Sequence, residues 1–89
     1  MDTGTSSFIA ECFWPDVSAA DLDALDRRVS VAATGLDVRY LGSILLREDE
    51  VVLCQFDGPA DSVRAVAERA QVPFERILHA DRSPWTQPG

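Results

Sequence analysis

Hydrophobic positions in this chain change their period several times, and each change marks a new element. Over residues 8–14 apolar and aromatic side chains run with a single charge. Two-residue alternation puts Phe8, Ala10, Cys12 and Trp14 on one face and Ile9, Glu11 and Phe13 on the other, which predicts a strand ended by Pro15. Leu22, Leu25, Val29, Ala32, Ala33 and Leu36 then recur at helical spacing. Ser18 followed by Asp21 reads as a capping box with Asp in place of Glu or Gln, so a helix is predicted over residues 19–34, stopped near Gly35. Val29 and Val31 are β-branched and lower its intrinsic propensity, so packing must hold its second half.

The alternation returns over residues 38–47 and, after a turn at 48–50, over 51–57. In the first of these arms Val38, Tyr40, Ile44 and Leu46 share a parity interrupted by Gly42, with Leu41 and Leu45 opposite alongside Arg39, Ser43 and Arg47. Gly42 is expected to mark a bulge or a close backbone approach. In the second arm Val51, Leu53 and Gln55 face one way and Val52, Cys54 and Phe56 the other. Pro59 suits the first turn of a helix whose buried stripe is Val63, Val66, Ala67 and Ala70. A break at 71–73 leaves residues 74–80 as the last strand.

The order β-α-β-β-α-β is the ferredoxin-like arrangement: an α+β sandwich with two helices on one face of a four-stranded antiparallel sheet, in the order 4-1-3-2. Residues 7–81 form the expected domain. Residues 1–6 and 82–89 are expected tails, the second placing Trp85 where it could meet a partner. Two helices can cover one sheet face only, yet the hairpin is apolar on both. Burying several hundred square ångströms of the second face, at about 25 cal/mol per Å², stabilises by several kcal/mol before association costs. A homodimer packed sheet to sheet, of the dimeric α+β barrel type, answers that demand most directly. A small-molecule groove is the rival reading, and partial cover by twist, edge and tail the third.

Composition narrows the partners. Fifteen acidic residues against eight basic ones give a formal charge of -7, which disfavours nucleic acid and anionic membrane surfaces. All eight basic residues are arginine. Schiff-base and lysine-nucleophile chemistry are therefore excluded. The polar opening segment lacks the basic and apolar regions of a secretory leader, and no apolar run approaches bilayer length, so a soluble cytoplasmic protein with reduced Cys12 and Cys54 is expected.

Candidate chemistry is sparse. Glu11 is the one charge of the first strand, suited to proton transfer or metal ligation if it points into an enclosed interface, and otherwise a hydrogen-bonded edge carboxylate. His79 is the single histidine, a metal ligand or proton shuttle at the end of the last strand, or simply a packed ring. Cys12 and Cys54 fall on adjacent strands and read as small core hydrophobes before thiol chemistry. Arg39 offers a donor fork and Tyr40 a hydroxyl to a carboxylate or phenolic ligand, or a rim ion pair and an anchored core ring. Trp14 and Phe13 line a pocket or fill a seam. The run Glu48, Asp49, Glu50 is too short for a calcium loop. No GxGxxG, P-loop, serine elbow, HExxH or CxxC occurs.

Four segments, "FIAECFWP", "DLDAL", "DVRYLGSILLRED" and "VVLCQFDGPADSVRAVAERAQVPFERI", together resemble the small bacterial proteins of the DUF4242 family over about residues 7–80. The described examples include a nickel-binding protein with a dimeric ferredoxin-like fold. The resemblance implies that fold, a homodimer, and a nickel or other divalent transition-metal site, for which His79, Glu11 and Cys54 are the donors at hand. Members often carry a histidine in the second helix where this chain has Val66, and a helix-ending glycine where it has Gln71. Cys54 stands where they often have cysteine. The expected function is a small cytosolic dimeric binding protein for a transition metal or small ligand, with Glu11, Trp14, Arg39 and Tyr40 as ligand-binding candidates. The alternative is a cofactor-independent isomerase or monooxygenase, and the third reading an interaction module.

Overall fold

A computed structural model describes residues 6–81. The tail segments 1–5 and 82–89 expected from sequence, Trp85 included, lie outside them. The elements are β1 (Ser7–Phe13), α1 (Ala19–Ala33), β2 (Arg39–Leu46), β3 (Val51–Asp57), α2 (Ala60–Arg69) and β4 (Arg76–Ala80). The strands form one antiparallel sheet in the order β2-β3-β1-β4, the predicted ferredoxin-like topology.

The expectation of a barrel is overturned. β2 and β4 stand at opposite edges with no pairing between them, so the sheet is open. Four strands are too few to curl until their edges meet, since even a small, partly open barrel uses about five.

α1 begins as its sequence prescribes: Asp21 N–H donates to Ser18 Oγ (3.0 Å) and Ser18 N–H to Asp21 Oδ2 (2.9 Å), so Asp closes the box as well as Glu would. The Ser18 backbone N–H first, then its hydroxyl, holds the Asp21 carboxyl below its usual pKa. The helix stops at Ala33, and Leu36 lies beyond it, exposed rather than on its buried stripe. α2 follows Pro59, whose carbonyl accepts from Val63 N–H. It ends in a Schellman motif, with Val72 N–H on Ala67 O (2.9 Å) and Gln71 N–H on Glu68 O (3.1 Å). That motif puts Gln71 at φ 58°, the left-handed region where glycine is the usual occupant.

The core lies between the helices and one sheet face. Ala10, Cys12, Val52, Cys54 and Phe56 come up from the sheet to meet Leu25, Val29 and Ala33 of α1 and Val63, Val66 and Ala67 of α2. The bulge expected at Gly42 is present: Tyr40 pairs with Phe56 and Gly42 with Gln55, leaving Leu41 as the extra residue. The parity read for β2 is corrected by it. Ser43 and Leu45 share Tyr40's face, opposite Cys54 and Val52, while Ile44 and Leu46 turn to the other face, opposite Leu53 and Val51. Gly58 closes the sheet end under the entry to β2, where a Cβ would lie 2.6 Å from Asp37 O. No helix among the described residues is long and apolar enough to cross a membrane.

Candidate functional site

The open sheet face is the first of two candidate regions. Alternation from the core residues puts Ile9 and Phe13 of β1, Ile44 and Leu46 of β2, Val51 and Leu53 of β3, and Leu78 of β4 on the side away from the helices. Phe13, Ile44 and Leu46 are 55%, 45% and 41% exposed, and the others are half-buried by their neighbours. Among the described residues this face carries the Glu11–Arg76 ion pair and, toward the other end of the sheet, Arg39 and Asp57, which stand opposite each other in the β2–β3 register. Arg76 Nε lies 2.6 Å from Glu11 Oε1, and the hydrogen bond to that carboxylate raises the Arg76 pKa further. An apolar surface of this breadth, with its charges at Glu11–Arg76 and at the Arg39 and Asp57 end, suits contact with another apolar surface.

The second region lies on the helix side, where α1 crosses β2. Tyr40 Oη donates to Asp26 Oδ1 at 2.5 Å and Ser43 Oγ donates to the same oxygen at 3.0 Å. Burial first, then the bond to Asp26, pushes the Tyr40 hydroxyl well above its ordinary pKa. Tyr40 packs on Phe56, ring centroids 5.2 Å apart. Cys12 and Cys54 are both free and fully buried, on the same face of adjacent strands. Cys12 Sγ donates to Ala10 O at 3.9 Å; the neighbouring Cys54 thiol, followed by burial, pushes the Cys12 thiol up, and Cys12 in turn draws the Cys54 thiol down. Among the described residues no buried side-chain nitrogen or oxygen lacks a partner. This polar chain therefore fastens α1 to the sheet without stranding a polar group.

The structure separates most of the residues singled out from sequence. Glu11 belongs to the open face and Cys54 to the core face, on opposite sides of the sheet. His79 pairs with Phe8 rather than with Glu11, whose partner on β4 is Arg76; the imidazole stacks on the Phe8 ring at 5.0 Å. Glu11, Cys54 and His79 are thus not brought together. Among the described residues no group of three or more His, Cys, Asp or Glu is arranged to hold a metal ion. Arg39 is exposed at the start of β2, beside a recess of about 330 Å³ shared with Leu36, Asp37 and Asp57. Trp14 donates its backbone N–H to Glu50 O (2.8 Å), packs on the core, and borders a smaller recess of about 120 Å³ with Val17 and Leu45. Tyr40 and Arg39, neighbours in sequence, face opposite ways.

Asp26 and Ser43 were not legible as site residues. Asp26 falls between the apolar positions of α1, and only the bulge after Tyr40 turns Ser43 toward it.

No family model and no curated protein matches the chain. Among solved structures it is similar to the crystal structure of SCO4226 from Streptomyces coelicolor A3(2), with a TM-score of 0.77 and 16% identity over 86% of this chain and 98% of that one. At that identity the likeness is one of fold: the two chains share the ferredoxin-like arrangement nearly end to end.

Proposed function

We propose that this chain is a small homodimeric binding protein of the cytoplasm, whose subunits meet through their open sheet faces and hold a small ligand or a transition metal at the seam. The observation that carries the reading is the uncovered apolar surface of Ile9, Phe13, Ile44, Leu46, Val51, Leu53 and Leu78. Packing it against a second copy removes hydrocarbon from water on both sides at once. The segment resemblance to DUF4242 supports the same assembly and makes nickel the first metal to test, with Glu11, at the middle of β1, as the carboxylate each subunit brings to the seam. Two free, buried thiols fit a reducing compartment.

Sedimentation velocity and native mass spectrometry with metal analysis test this reading. The expected result is a dimer that takes up nickel, converted to a folded monomer by Ile44→Glu or Leu53→Glu. A chain that stays monomeric at about 100 μM, where even weak specific dimers populate, and takes up no metal overturns it.

A further inference from the structure

The helix layer, across the sheet from the open face, carries a groove of about 520 Å³ where the C-terminal parts of α1 and α2 lie side by side. That volume is in the range of small-molecule sites. Its apolar surface comes from Val31, Ala32 and Ala70; Val31 is 74% exposed, the most exposed of the large hydrophobic residues in the described part of the chain. Its charged wall consists of Arg27, Arg28 and Arg69. Three of eight arginines therefore gather at one groove in a chain of net charge -7.

Their partners leave this positive charge available. Arg28 Nε donates to Ala70 O at 2.9 Å, which ties the guanidinium to the groove wall and bridges the two helices. Among the described residues neither Arg28 nor Arg69 enters an ion pair. Arg27 pairs with Asp23 at 2.9 Å, but both side chains are mostly exposed, and such a pair is readily exchanged.

We propose that this groove binds a small amphipathic carboxylate, its hydrocarbon on Val31, Ala32 and Ala70 and its head group on the guanidinium groups of Arg28 and Arg69. Guanidinium groups match a carboxylate with two parallel N–H donors. The size of the apolar surface selects a small molecule over a helix or peptide, because along α1 it is flanked by the polar Arg27, Ser30 and Thr34 rather than continued. The overall charge selects a monoanion over a nucleic acid or an acidic protein, whose approach the -7 field opposes far more strongly. The site is independent of the dimer, since it lies on the other side of the sheet.

Titration of the full chain with octanoate, followed by ¹H–¹⁵N spectra, tests the proposal, with octanamide as the uncharged control. Saturable shifts are expected at Val31, Ala32, Ala70 and Gln71, with octanamide binding about tenfold more weakly for want of the charge-assisted bonds. Arg69→Gln should weaken octanoate about tenfold and leave octanamide unchanged. Val31→Glu, a surface change that places a carboxylate at the groove, should abolish octanoate binding with the circular dichroism spectrum intact. Equal affinity for octanoate and octanamide, shifts confined to Ile9, Ile44 and Leu53, or no saturation by about 10 mM overturns it.

Discussion

Glu11 and Arg76 face each other across β1 and β4, 2.6 Å apart, with Leu53 directly across from Glu11 on its other side. In a lone subunit the Arg76 side chain is 63% exposed beside a Glu11 that is 29% exposed, so the pair is screened by solvent on one side and contributes little. Between two apolar sheet faces it is desolvated, and an unmatched Glu11 there is costly. Arg76→Ala should therefore leave the unfolding midpoint of the subunit nearly unchanged but weaken self-association by about tenfold or more, whereas the double replacement Glu11→Leu with Arg76→Leu preserves or tightens it. Sedimentation equilibrium on both variants decides. Equal association by the wild type and Arg76→Ala would place the pair outside any interface.

Tyr40 should give the fold an alkaline limit. Its folded pKa lies above the ordinary value of 10.0 because burial and the bond to Asp26 favour the neutral phenol. The unfolded chain ionises first, so the contribution is complete below about pH 10 and declines as pH rises beyond it. Tyr40 is the single tyrosine, so phenolate absorbance reports it alone. The absorbance should rise together with loss of structure rather than before it. Tyr40→Phe should cost about 1 kcal/mol at neutral pH through the lost hydrogen bond and flatten the alkaline decline. Free titration near pH 10 in the folded state would contradict this.

Gly58→Ala should be the most damaging single-methyl addition. The new Cβ meets backbone, Asp37 O at 2.6 Å and Val38 Cα at 3.2 Å, and φ is 146°. Neither group yields without moving the start of β2, so a loss of roughly 2–4 kcal/mol is expected in urea unfolding. Gly42→Ala meets nothing within 4 Å and pays only for its φ of 109°, which makes it the control.

Gln71→Gly should stabilise the chain. Gln71 occupies the left-handed position of the Schellman motif at φ 58°, and glycine removes that penalty while adding some freedom to the unfolded state. A net gain of about 0.5–1 kcal/mol in thermal or chemical unfolding is expected. A loss would mean that the glutamine side chain holds the α2 corner.

The element order was legible because each segment's apolar period matched its structure and the caps stood where Ser18 and Pro59 announce them. The face assignment of β2 was not. A bulge changes parity by one residue, and Gly42 signals the bulge without saying which residue becomes the extra one; Leu41 does. Charged groups were harder still. The Asp26–Tyr40 bond and the gathering of Arg28 with Arg69 join residues far apart in the chain, through the crossing of α1 over its neighbours. The separation of Glu11 from Cys54 was open for a related reason. Their relation depends on the β1–β3 register, which pairs Ala10 with Cys54 and turns Glu11 the opposite way.

The position of β1 inside the sheet has a consequence for synthesis. Of the four strands β1 is made first, with both of its neighbours, β3 and β4, still to come, and it gains its last partner only when residues 76–80 emerge. Such distant pairing is slow to form. An early, sticky segment therefore keeps both edges open until β3 is made and one edge open until β4 is made, and any chaperone that assists this protein would find its binding stretch at Phe8 to Phe13.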